Sequence, residues 1–141
     1  MIKGIPTYQD AEIILRLYDT YESDRLREVK KWFSQELDAT TYEEFITTYP
    51  RGSEGYQHLV TLYGFFEMIG TLYKNHLVHP DLLFDMWYIN GVYSKLYPIL
   101  DGWRKQGDSH IAENFEVLAR AELEWIGRVK GEQYVPKVPY R

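Results

Sequence analysis

Cysteine is absent from this 141-residue sequence, which excludes disulfides, a thiolate nucleophile and any cysteine-ligated metal centre. Long apolar runs are missing too. No window reaches the ~18 uninterrupted apolar residues that suit a membrane span, and Met1-Ile2-Lys3-Gly4-Ile5-Pro6 lacks the apolar stretch of a secretory signal. Basic residues are outnumbered, 16 Lys and Arg against 21 Asp and Glu, for a net charge of −5. A phosphate-tracking surface needs the opposite balance. The basic residues that do cluster, Arg25, Arg27, Lys30 and Lys31, alternate with Asp24 and Glu28, the pattern of a solvated face. Gly52-Ser53-Glu54-Gly55 is too short for a phosphate loop and lacks its lysine. Ser53, Ser94 and Ser109 lie in no glycine-flanked nucleophile elbow. The expectation is a cytoplasmic protein with neither a nucleic-acid nor a membrane partner.

Aromatic residues are abundant: 13 Tyr and 4 Trp, with Phe, bring their share to 16%. Tyr and Trp suit surfaces that are buried at one end and wet at the other, protein interfaces included. The length fits one domain.

Helical periodicity runs through the chain. Thr7-Tyr8-Gln9-Asp10 is a capping box, and Ala11, Ile14, Leu15, Tyr18 and Tyr21 recur at helical spacing behind it, so a first helix covers 8–21. Ser23 caps a second, with Leu26, Val29, Phe33 and Leu37 as its buried stripe. Thr41-Tyr42-Glu43-Glu44 opens a short third helix ending near Tyr49, followed by the loop from Pro50 to Gly55. The fourth, 56–74, is apolar around most of its circumference and must be covered on several sides. Its polar seam is Gln57, Val60, Gly64, Glu67, Thr71 and Lys74.

After the hinge Asn75-His76-Leu77-Val78-His79-Pro80-Asp81, Pro80 opens a fifth helix from its first turn. Leu82, Met86, Ile89, Tyr93, Leu96, Leu100 and Trp103 form its stripe, with Pro98 expected to kink it or to end it near Tyr97. Ser109 caps a sixth helix carrying Ile111, Phe115, Leu118, Leu123, Trp125 and Ile126. The fold read from these signals is all-α: a single-domain bundle of five to six helices with two long central helices. It occupies 1–131, with an extended or disordered tail at 132–141 that Tyr134 and Tyr140 would anchor.

The run Tyr63-Gly64-Phe65-Phe66-Glu67-Met68-Ile69-Gly70, continued by Leu77-Val78-His79-Pro80-Asp81-Leu82-Leu83-Phe84-Asp85, resembles the central part of a bacterial family of small helical proteins, the domain-of-unknown-function family numbered 4760. The likeness covers about a third of the chain. It implies the helical fold, an apolar helix with a mid-helix Glu, a short turn and a second helix opened by an acid. Many members carry an N-terminal membrane segment, which this sequence lacks. No activity comes with the family.

The residues able to carry chemistry sit around the hinge. His76 and His79, with Asp81 and Asp85, have the donor types of a zinc or iron site. Yet His76 also suits a helix C-terminus, and His79 suits the cap before Pro80. Glu67 is the only acid in the fourth helix's central apolar stretch; it serves either as a desolvated acid–base group or as the partner of an arginine on a neighbouring helix. His110 and Glu113 read as a helix start, and His58 as a first-turn residue. Gly64 and Gly70 each weaken a helix by about 1 kcal/mol, so close helix approach is expected there, inside the chain or in a homodimer seam. Phe84, Trp87, Tyr88, Tyr93 and Tyr97 are too many for one helix face, and suggest core plus a self-association surface, with a ligand pocket as the alternative.

Two functions follow. One is a non-enzymatic module for protein interaction or self-association, most simply a homodimer, with Gly64, Phe65, Trp87 and Tyr88 at the interface. The other is a small-molecule or metal site near Glu67, His76, His79 and Asp81. No catalytic residue and no cofactor are assigned.

Overall fold

The computed structural model describes residues 4–141; Met1–Lys3, part of the stretch read as lacking a signal, lie outside the described residues. Among the described residues there are seven α-helices, a short 3-10 turn and no strand. They are α1 (Tyr8–Tyr21), α2 (Asp24–Gln35), α3 (Tyr42–Thr48), α4 (Glu54–Lys74), α5 (Pro80–Met86), α6 (Ile89–Gln106), α7 (Glu113–Val129) and the 3-10 turn Glu132–Tyr134. No described helix is long and apolar enough to cross a membrane.

The starts with local caps form as the sequence dictates. Thr7 and Asp10 make a reciprocal capping box on α1, and the hydroxyls of Ser23, Thr41 and Ser53 accept from the third backbone N–H of α2, α3 and α4. Each satisfies a donor that the helix itself leaves unpaired. The Glu44 carboxylate also accepts from the Thr40 N–H and hydroxyl. In α2 the wholly buried aromatic is Trp32 rather than Phe33, which is only half-buried. The Trp32 ring meets Phe45 and Tyr49 edge-on.

The α4 helix lies against α2 on one side and α7 on the other, and α6 packs on α3 and α7. Leu59, Ile69, Leu83, Ile89, Tyr93, Leu96, Leu100, Phe115 and Leu118 are fully shielded from solvent. Phe66 and Phe115 stack at 5.0 Å between α4 and α7.

One of the two expected long central helices is divided, and the last helix starts later than expected. The single helix expected from Pro80 to Trp103 is two helices, α5 and α6, interrupted at Trp87-Tyr88, both in non-helical conformations. Trp87 turns inward to meet the ring of Tyr21 at 6.0 Å, which draws the chain off the helical path and leaves Met86 exposed. Pro98 does not end α6, which runs on to Gln106. The last helix starts at Glu113, not at Ser109; Ala112 precedes it in the left-handed region, φ 57°, with no side-chain cap of its own. In the tail, Tyr134 is exposed while Tyr140 is buried, its ring edge-on to Tyr93 at 4.9 Å.

Candidate functional site

The starts of α6 and α7 carry no side-chain cap from their own N-cap residues. Carboxylates on other helices supply both. Glu67, on α4, accepts from the backbone N–H of Asn114 at 3.1 Å and of Phe115 at 2.9 Å, so its negative charge sits at the positive end of the α7 dipole. The seam glutamate thus bonds a neighbouring helix, but its partner is a helix terminus and not the arginine expected from the sequence. Thr71, one turn along, accepts from the Asn114 side chain at 3.1 Å. Glu122, on α7, does the same for α6: its carboxylate accepts from the Ile89 N–H at 2.8 Å, the Asn90 N–H at 2.8 Å and the Asn90 side-chain amide at 2.6 Å. Glu122 is only 1% exposed. Burial raises its pKa above the ordinary carboxylate value, against the three donors that favour the charged form.

Close approach between α4 and α7 occurs at Gly70, where a β-carbon would stand 2.1 Å from the Asn114 carbonyl oxygen. At Gly64 a β-carbon would meet nothing within 4 Å, so intramolecular close packing does not explain that glycine. Gly64 lies on the surface.

A second polar cluster joins α6, α7 and the tail. Arg104 donates to the Ile111 carbonyl at 2.6 Å, to the Ala112 carbonyl at 3.1 Å and to Glu116 at 2.7 Å. Glu116 also accepts from Tyr93 and Arg120. Burial pushes the Glu116 carboxyl upward, but Arg104, Arg120 and Tyr93 outweigh it and hold the pKa below the usual value. The Tyr140 hydroxyl donates to the Asn90 side-chain oxygen, and burial raises its pKa to about 12.

The hinge residues are engaged separately. The His79 Nδ1 accepts from the Asp81 N–H at 3.2 Å while Nε2 faces the Gly4 carbonyl at 2.8 Å. Those contacts place the ring hydrogen on Nε2 and occupy both nitrogens, as the expected cap before Pro80. Asp81 accepts from the Trp125 indole at 2.9 Å. His76 adopts a positive φ of 62° beyond the end of α4. Among the described residues, Glu67, His76, His79 and Asp81 form no group of three ligand atoms within 4.8 Å.

Of the interface candidates, Phe65 lies in the core, stacked on Tyr21 at 5.2 Å. Trp87 and Tyr88 instead border a concavity of about 620 Å³, whose walls also include Phe84, Met86, Trp125 and Tyr134. Glu122 and Ile126 also line it, and Lys130 pairs with Asp85 at 3.3 Å on its rim. Trp87 and Trp125 are buried as walls, whereas Met86, Tyr88 and Tyr134 are 48%, 57% and 65% exposed. On the α1 side Tyr18, 40% exposed, extends the apolar surface to within 6.5 Å of the Trp87 ring. Sequence reasoning missed Trp125, Glu122 and Tyr134 as neighbours of Trp87 and Tyr88, because they lie more than thirty positions further along the chain.

The fold and groove thus define an all-helical domain with an aromatic surface concavity. Within that class, the family model described as Domain of unknown function (DUF4760) matches residues 6–125, and the chain belongs to this family. The match takes in most of the chain, far more than the third that carried the resemblance in sequence. No curated protein and no solved structure matches it.

Proposed function

We propose that this protein is a non-enzymatic self-association module whose aromatic groove between the α5–α6 junction and α7 receives a second copy of the same chain. The observation that carries this reading is the projection of Met86, Tyr88 and Tyr134 around a cavity walled by Phe84, Trp87 and Trp125. One patch therefore offers both knobs and a hole, which is what a two-fold interface requires. Its rim is self-complementary in charge as well. Asp85 and Lys130 stand side by side there, and a two-fold axis passing between them would set each against its opposite in the partner. Contiguous apolar surface rimmed by charge is the usual mark of an interaction site, and Tyr and Trp are favoured anchors.

Sedimentation velocity over a range of micromolar concentrations tests this. The expected result is a concentration-dependent dimer, with Tyr88→Glu and Tyr134→Glu each shifting the protein to monomer while its melting temperature holds. A wild-type protein that stays monomeric at several hundred micromolar overturns the proposal.

A further inference from the structure

On the far side of the molecule from the hinge residues along α4, one set of side chains has metal-ligand character. Glu54 and His58 are four residues apart on the first turns of α4, so they project from one face. Glu28 reaches them from α2. One ligand atom from each of the three lies within 4.8 Å of the others, the only such group among the described residues. The His58 Nε2 and the nearer Glu54 oxygen are 3.6 Å apart. Neighbouring ligand atoms on a tetrahedral zinc ion stand about 3.3 Å apart, given bonds of about 2.0 Å, so this pair is already near coordination distance. Glu28 is an exposed side chain that closes the remaining gap by rotation.

A second observation points to the same place. The three residues line a cavity of about 370 Å³ together with Trp32, Tyr49, Lys31, Glu36 and Gly55. Trp32 is 3% exposed, its ring 5.4 Å from the His58 ring, and its Nε1–H is the one buried side-chain polar atom without an acceptor among the described residues. A buried donor left unpaired costs about 1–3 kcal/mol. Outer-shell donors to ligating carboxylates or to a metal-bound water are a regular part of metal sites, and a bound ion would bring such an acceptor into the cavity.

We propose that Glu28, Glu54 and His58 bind a divalent first-row cation of the zinc type, with Trp32 donating to the carboxylate or water that completes the site. Two carboxylates balance the charge of the ion, and the imidazole selects against magnesium, which takes oxygen ligands. Three protein ligands leave a coordination position open to the cavity. Lys31 shares the cavity wall; it is exposed, and its flexible stem lets the ammonium leave for solvent when the cation enters.

The test is titration of chelator-treated, dialysed protein with Zn²⁺ by calorimetry, with Co²⁺ absorption as a report on coordination. Binding of one ion per chain at micromolar or lower Kd is expected, with no response to Mg²⁺ at the same concentrations. Glu28→Gln and His58→Ala should each weaken binding at least about 10-fold, and Trp32→Phe should weaken it by about 10-fold without changing the Co²⁺ ligand set. His110→Ala should leave affinity unchanged, since the exposed His110–Glu113 pair is the natural source of adventitious binding. Should His58→Ala fail to fold, Glu28→Gln on its exposed site carries the test. No binding at 100 μM Zn²⁺, or binding that is indifferent to Glu28→Gln, overturns the proposal.

Discussion

Glu122 offers the most demanding test of how this fold is held. Its carboxylate is shielded from solvent and serves two backbone donors and one amide at the start of α6. Glu122→Gln keeps one acceptor oxygen and turns an NH₂ group toward a backbone N–H, most simply that of Ile89. One buried donor then lacks an acceptor, a cost of about 1–3 kcal/mol, while Glu122→Ala strips all three and costs at least about 3 kcal/mol. The pH dependence separates this account from a generic packing loss. Burial raises the folded-state pKa of Glu122, so above the ordinary carboxylate value the folded protein holds a proton that the unfolded chain has released. Stability from this group is therefore present at low pH and lost as pH rises through the folded pKa, at up to about 1.4 kcal/mol per unit. Glutamine does not titrate. The stability gap between wild type and Glu122→Gln should thus narrow as pH rises from about 4.5 toward neutrality, measured by urea unfolding at a series of pH values. Glu116, whose pKa is lowered, works in the opposite sense in both proteins and cancels in the difference. A gap that is constant, or that widens with pH, refutes the reasoning.

Glu67→Ala removes the carboxylate from the start of α7 and should cost about 1–2 kcal/mol, the range of a lost N-cap. Amide exchange read by NMR should accelerate first at Asn114 and Phe115. Gly70→Ala places a β-carbon on the Asn114 carbonyl oxygen and should destabilise by about 1–3 kcal/mol, the cost of overpacking. Gly64→Ala meets open space and should stabilise by up to about 1 kcal/mol through helix propensity; thermal melts of the two variants should move in opposite directions.

What the sequence disclosed divides by the range of the contacts involved. Thr7, Ser23 and His79 cap helices through neighbours two or three residues away, and such signals stand in the linear text. The starts of α6 and α7 do not, because their acceptors lie 33 and 47 residues away. An unbroken apolar stripe from Leu82 to Trp103 therefore reads as one helix, and nothing local announces that Trp87 leaves it. The two glycines of α4 make the same point. Gly64 and Gly70 look alike in sequence, and only the position of Asn114 makes one a contact and the other a surface residue. The candidate ligands follow suit: the His76–Asp81 hinge is conspicuous because it is local, whereas Glu28, Glu54 and His58 meet only once α2 lies along α4.

An apolar stripe specifies which face of a helix is buried, but it is nearly indifferent to where the helix begins. Sliding a start by one turn conserves most of the burial and changes which backbone donors are left over. In α6 and α7 those donors are fixed by single carboxylates, Glu122 from α7 and Glu67 from α4, so the order α4, α7, α6 is also a chain of registers in which each helix sets the start of the next. Moving the start of α6 would leave the buried Glu122 carboxylate and the N–H groups of Ile89 and Asn90 unpaired at once, and moving that of α7 would strip the half-buried Glu67 of its two backbone donors. Glu122 lines the aromatic groove as well as capping α6. The geometry of Trp87 and Tyr88, which immediately precede the capped residues, is thereby tied to the same contact that positions the helix, and the groove is held by that polar contact together with the packing of Trp87 on Tyr21 and of Phe84 on Trp125.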